Sequence, residues 1–218
     1  RMRNPSPMLG LVLAACAAHT NLEPLGPGNR SPHVSFGGPI VEAFGTRMPV
    51  PYLAAGVDYG VTPTVNLGFN AHLLPLAYGI VGADAGATWF PVASPGGPTV
   101  GLEARLFAFV SVRPGFNKRV FSYPVLSASV AERVGGGLGY AGTNLVLSAA
   151  RPDLDPDAAR QILSPFLGYR WNLGARTALL TEVKWHGANL RSDQLAVNYL
   201  HPAGHGALTT LVALQRRF

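Results

Sequence analysis

The chain has 218 residues, 48% of them apolar and 13% charged, with 26 Gly, 19 Pro, one Cys and a formal net charge of +6. That length holds one domain or at most two small ones. A charged fraction about half the roughly 25% usual in soluble domains, beside an ordinary apolar fraction, excludes a disordered chain and argues against a plain cytosolic globule. A single Cys excludes an internal disulfide framework and a cysteine-rich zinc site.

In chain order, Arg1 and Arg3 precede an apolar run from Met8 that ends in the small residues Ala14 and Ala15. A basic start, a short apolar core and a small-residue end predict an export leader over residues 1–15. Leu13-Ala14-Ala15-Cys16 resembles the bacterial lipobox, which implies that Cys16 is lipidated and opens the mature chain. An ordinary secretory leader is the alternative. Residues 16–32 contain Pro24, Gly26, Pro27, Gly28 and Pro32 without periodicity, so they are expected to form the lipidated N-terminus and a flexible tether. No stretch of about 18 uncharged apolar residues exists, so helices are not expected to span a membrane.

From residue 33 to 218 the pattern has period two. Val65, Leu67, Phe69, Ala71 and Leu73 alternate with Asn66, Gly68, Asn70 and His72. Val100, Leu102, Ala104, Leu106 and Ala108 alternate with Gly101, Glu103, Arg105, Phe107 and Phe109. The stretches 163–171 and 179–186 repeat the pattern, which predicts strands with one apolar and one partly charged face. Ten strands are expected, at 33–44, 51–60, 62–73, 79–91, 99–111, 120–133, 137–149, 161–171, 175–187 and 206–218. Eight or twelve stay open, because the candidates near Val34 and near Leu195 to Leu200 are weak. Strands of about ten residues match tilted membrane crossings, and short turns such as Gly60-Val61-Thr62-Pro63 alternate with longer connections. If the last strand runs toward the periplasm, Tyr59, Trp89, Trp171 and Phe218 fall at one level as an aromatic girdle. The expected fold is therefore all-β, an antiparallel up-and-down transmembrane β-barrel.

Leu208, Thr210, Val212, Leu214, Arg216 and Phe218 form an outward face that ends in a terminal aromatic. This is similar to the last strand of bacterial outer-membrane β-barrel proteins. The resemblance implies a place in the bacterial outer membrane and recognition of the last strand by the barrel-assembly machinery. Outer-membrane lipids and lipopolysaccharide are the expected partners, and the net charge of +6 suits lipopolysaccharide phosphates.

Inward parity collects Asp58, His72, Asp84, Glu103, Arg105, Arg170, Glu182, Lys184, His186 and Arg217. Charge in a narrow lumen must be paired or hydrated, so Asp58, Asp84, Glu103, Arg105, Arg170, Glu182 and Lys184 are read as a lumen charge network. Phe107, Phe109 and Phe166 share that parity, and a ten-stranded lumen then has little space left. The expected role is structural, adhesive or narrow transport.

The remaining motifs point to no cofactor, metal, nucleic acid or catalytic residue. Gly137-Leu138-Gly139-Tyr140-Ala141-Gly142 fits G-x-G-x-x-G but precedes a strand pattern, so the Gly135 to Gly137 cluster is read as a turn. Asp153-Leu154-Asp155-Pro156-Asp157 lacks the Gly and Glu of a calcium loop and suits a short loop helix. His201 and His205 flank Pro202 and Gly204, which disfavours the helix that would pair them on a metal. Trp185-His186-Gly187-Ala188-Asn189 faintly resembles the His-x-Ser-Asn stretch of lipid A 3-O-deacylase barrels. It lacks the Ser two residues after His186, and Ser192 is the nearest hydroxyl along the chain. Two alternatives follow, a lipid A-modifying outer-membrane hydrolase and a soluble periplasmic lipocalin-like barrel with its apolar faces inward.

Overall fold

An alternating sheet can put apolar side chains in hydrocarbon only if it closes, because an open edge would leave backbone groups unpaired in lipid. The computed structural model describes residues 19–43, 46–49, 52–73, 75, 79–94, 96–112, 120–147, 161–192 and 199–218. Its strands are β1 (Arg30–Ala43), β2 (Thr46–Pro49), β3 (Tyr52–Thr62), β4 (Val65–His72), β5 (Ile80–Ala93), β6 (Thr99–Ser111), β7 (Val120–Val134), β8 (Gly137–Leu147), β9 (Gln161–Asn172), β10 (Thr177–Arg191) and β11 (His205–Arg216). Ten of them, β1 and β3 to β11, form an antiparallel wall in chain order. The wall closes where β11 pairs with β1, from His33 opposite Gln215 to Pro39 opposite Thr209. A closed antiparallel barrel of ten strands is the expected fold, and its strands match the expected ranges to within a few residues.

The differences have local causes. β1 starts at Arg30, because Arg30 exchanges backbone hydrogen bonds of 3.1 and 2.8 Å with Phe218. Pro39 has no N–H to continue the ladder, and beyond it β1 leaves the wall to pair with β2, setting Glu42 opposite Arg47. β10 continues to Arg191 through a bulge at Gly187, whose φ of 64° suits a residue without Cβ. Gly135 takes φ 58° in the turn between β7 and β8. Val41 and Tyr199 form an isolated bridge, while residues 193–198 lie outside the described set.

The parity follows the sequence. Phe69, Leu106, Leu126, Leu167, Val183 and Leu214 are exposed on the outside, whereas Asp58, Asp84, Arg105, Glu182 and Lys184 are buried inside. This order is the reverse of a lipocalin-like barrel, so that alternative is overturned: the apolar faces have no core to fill and meet hydrocarbon instead. Tyr59, Trp89, Trp171 and Phe218 are all exposed at the short-turn end, where β1 begins and the chain terminates. Arg30 lies over Tyr59 at 5.9 Å and Arg216 over Phe218 at 5.0 Å, cation–π contacts suited to an interface. That rim is the periplasmic one in the orientation read from the sequence.

The described part of the expected tether is not a free linker. Residues 19–23 enter the barrel, with His19, Asn21 and Leu22 buried, and the chain reaches the rim near Gly26 to Gly28 before β1 starts. The Pro and Gly residues that suggested flexibility form this exit turn, in which Gly28 N–H donates to Gly60 O at 2.9 Å. Cys16 and the leader lie outside the described residues.

Candidate functional site

The N-terminal segment is extended, so successive side chains point to opposite walls. His19 and Asn21 face β1, β3 and β4; Thr20 and Leu22 face the other side. Asn21 Nδ2 donates to Asp58 Oδ1 at 3.0 Å, and Thr20 Oγ1 donates to Glu182 Oε2 at 2.9 Å. Leu22 packs among Leu138, Tyr140, Phe166, Leu180 and Leu211. Asn66 grips the backbone of the segment: its Nδ2 donates to Glu23 O at 3.0 Å, and its Oδ1 accepts from Leu25 N–H at 3.0 Å. Glu23 Oε2 receives Arg170 and Arg217, each at 2.8 Å. Arg133 lies 3.9 Å away and is largely exposed.

Burial works to raise the Glu23 carboxyl, and Arg170 with Arg217 overrides it, holding the group below the usual carboxylate range. The segment is thus fixed by four separate polar anchors and one apolar one.

Above it the wall charges pair with one another. Arg105 forms an ion pair with Asp84, and its Nη2 lies 2.6 Å from Glu103 Oε1. His72 Nε2 lies 2.9 Å from Asp84 Oδ2, Asn70 Nδ2 donates to Asp84 Oδ1 at 2.9 Å, and Lys184 Nζ lies 3.2 Å from Glu182 Oε1. Gly68 makes room for this cluster, because a Cβ there would lie 2.8 Å from both Arg105 Nη2 and Asp58 Oδ1. Charges taken out of water need such partners, since each isolated ion would cost several kcal/mol, on the order of the whole stability of a domain.

The structure thus joins Asp84, Glu103 and Arg105 in one group and Glu182 with Lys184 in a second. Asp58 and Arg170 are tied instead to the N-terminal segment, which is expected outside the lumen as a tether and lies within it. The signal for it was present in His19, Asn21 and Glu23, polar residues at alternate positions of an extended stretch.

The outer half of the lumen closes with apolar groups: Phe107, Phe109, Tyr123, Val125, Val146, Ile162 and Leu190 form one buried cluster. His72 stacks on Phe107 at 5.6 Å and lies 5.2 Å from Phe109. A cavity of about 20 Å³ borders His19, Thr20, Glu103 and Arg105, room for about one water.

His186 does meet a serine, across the sheet and not along the chain. Ser164 Oγ lies 3.1 Å from His186 Nδ1 and accepts from Gly187 N–H at 3.2 Å. Both residues are buried and face the lumen. Their shared inward parity on neighbouring strands is the sequence signal for this contact, which spacing along the chain does not carry. Ser192 is elsewhere, donating to Gly204 O at 2.9 Å. His201 Nδ1 accepts from Gly204 N–H at 3.1 Å, and His205 Nδ1 lies 3.0 Å from Ala203 O, so both serve a 3₁₀ turn over Pro202–Gly204. The acidic stretch 153–157 lies outside the described residues.

No family model matches the chain, and no curated protein matches it in sequence. Among solved structures, the chain is similar to the outer-membrane protease OmpT from Escherichia coli, at 10% identity, covering 88% of this chain and 94% of that one, with TM-score 0.41. The translocator domain of the autotransporter NalP from Neisseria meningitidis aligns at 12% identity over 98% of this chain and 96% of its own, with TM-score 0.45. Ail, the attachment invasion locus protein of Yersinia pestis, aligns at 8% identity over 88% and 99%, with TM-score 0.29. All three are bacterial outer-membrane β-barrels. This chain itself has the closure, the apolar exterior and the charged interior of a barrel that crosses the outer membrane.

Proposed function

We propose that this protein is a small outer-membrane barrel that does not conduct, its lumen closed by its own N-terminal segment, and that it serves a structural or adhesive role at the cell surface. The observation that carries the reading is the seat of residues 19–23 between opposite walls, with Glu23 held by Arg170 and Arg217 at 2.8 Å and an apolar cluster closing the lumen above. β11 with Phe218 is the segment offered to the barrel-assembly machinery, and lipopolysaccharide is the partner of the outer surface.

The test is conductance. Purified full-length protein in planar bilayers gives no large steady current, and the residual leak rises when Glu103 and Arg105 are both replaced by Ala. A porin-sized conductance from the unmodified protein overturns the proposal.

The Ser164–His186 contact favours a second reading, hydrolysis of a lipid A ester, in which the imidazole would take the hydroxyl proton. The buried setting of Ser164 counts against it, since an ester must reach Oγ. Expression of the protein leaves lipid A acylation unchanged; loss of an acyl chain that His186→Ala abolishes would put the hydrolase first.

A further inference from the structure

We propose that His19, His33 and Asp58 form a Zn²⁺ site that fastens the N-terminal segment to the barrel wall. The proposal deepens the closed-lumen reading and rests on the same seat of the segment, though not on the conductance of the barrel. His19 belongs to the segment, His33 to β1 and Asp58 to β3, and all three are buried. His19 Nδ1 lies 3.5 Å from Asp58 Oδ2, and His33 Nδ1 lies 3.3 Å from the same oxygen. Ligands at about 2.0 to 2.1 Å from a tetrahedral zinc stand about 3.3 Å apart, so both separations match the edges of such a site.

The neighbours set which atoms face one another. Asn70 donates through Nδ2 to Asp84, so its Oδ1 faces His33 Nε2 at 2.6 Å and accepts that proton. His33 Nδ1 then faces two oxygens, Asp58 Oδ2 at 3.3 Å and Ser31 O at 3.4 Å. Two electron-rich atoms at 3.3 Å repel unless a proton or a cation lies between them. Asp58 Oδ1 is occupied by Asn21, which leaves Oδ2 for the site. His19 Nδ1 and Asp58 Oδ2 are buried atoms with no hydrogen bond of good geometry among the described residues. This is the outer-shell arrangement by which proteins orient imidazole and carboxylate ligands.

Charge points the same way. Asp84 and Glu103 have Arg105, Glu182 has Lys184, and Glu23 has Arg170 and Arg217. Asp58 has no Arg or Lys within 4 Å among the described residues; the two imidazoles and an amide are its partners at that distance, and the Arg105 guanidinium acts on it from farther away. Two nitrogens and one carboxylate oxygen suit Zn²⁺ better than a hard oxygen-seeking cation.

The test uses the full-length chain in detergent micelles after chelation and dialysis, titrated with Co²⁺ as the spectroscopic probe and then with Zn²⁺ in competition. One equivalent of Co²⁺ develops the visible absorption of a tetrahedral site, and Zn²⁺ bleaches it. His19→Ala and Asp58→Asn each weaken binding at least tenfold; the first lies off the wall, so the barrel still migrates as a folded, heat-modifiable species on gels. The double substitution His201→Ala, His205→Ala leaves binding unchanged. Failure of the unmodified protein to take up one equivalent would mean that protons alone bridge the cluster, and overturns the site. Uptake that survives His19→Ala overturns it as well. A metal-free barrel that still fails to conduct loses this proposal and keeps the preceding one; a metal-binding barrel that conducts does the opposite.

Discussion

Replacing Glu23 by Gln tests whether the N-terminal segment is locked in place or merely resident. The substitution keeps the shape and removes the charge that two guanidiniums hold at 2.8 Å. Breaking a buried ion pair costs about 3 to 5 kcal/mol, and an exposed one about 0 to 1. The Glu23 side chain is 16% exposed, Arg170 is 7% and Arg217 is 37%, so the pair lies between these limits, at about 2 kcal/mol. That shifts the ratio of seated to displaced segment roughly 30-fold, at about 1.4 kcal/mol per factor of ten.

Hydrogen exchange reads the ratio at the Leu25 amide, which is bonded to Asn66 Oδ1 and exchanges only when the segment leaves. Exchange there should be about 30-fold faster in Glu23→Gln, with amides in β6 and β7 unchanged. Acid should act alike. The Glu23 carboxyl is held below its ordinary value of 4.5, so its contribution is full above that pH and is lost as pH falls through the depressed value. Protection at Leu25, corrected for intrinsic rates, should fall as the pH drops below 4.5. Equal protection in Glu23→Gln and unmodified protein would refute the locking argument.

Val183 faces outward near the middle of β10, opposite Leu167 and Thr210. Val183→Arg should cost about 2 to 4 kcal/mol in reversible unfolding from lipid, and a smaller loss than at a rim position such as Trp171→Arg would contradict the assigned orientation. Gly68→Val should drive apart Arg105 and Asp58 and destabilise the barrel by about 2 kcal/mol, whereas Gly136→Ala, with open space around it, should leave the denaturation midpoint unchanged. For Cys16, lipid on the thiol should add acyl mass to the membrane-extracted protein that Cys16→Ala removes; identical mature masses would discard the anchor and leave the barrel intact.

Much of the fold was written in the alternation itself. A strand must point successive side chains to opposite faces, so once Leu102 and Leu106 were assigned outward, Glu103, Arg105 and Phe107 had to be inward. Strand directions alone put Tyr59, Trp89, Trp171 and Phe218 at one end of the barrel, where all four lie exposed. What the sequence could not determine was which distant inward groups meet, because that depends on register around the closed wall. Ser164 reaches His186 across β9 and β10, and β2 exists only because Pro39 releases β1 from β11. The largest departure was the N-terminal segment: Pro and Gly around residues 24–28 set local stiffness, while the partners that hold Asn21 and Glu23 lie between 37 and 194 residues away. Only a closed barrel creates a lumen in which an extended polar strand is better paired with Asp58, Arg170 and Glu182 than with water, so tertiary closure decided where those residues went.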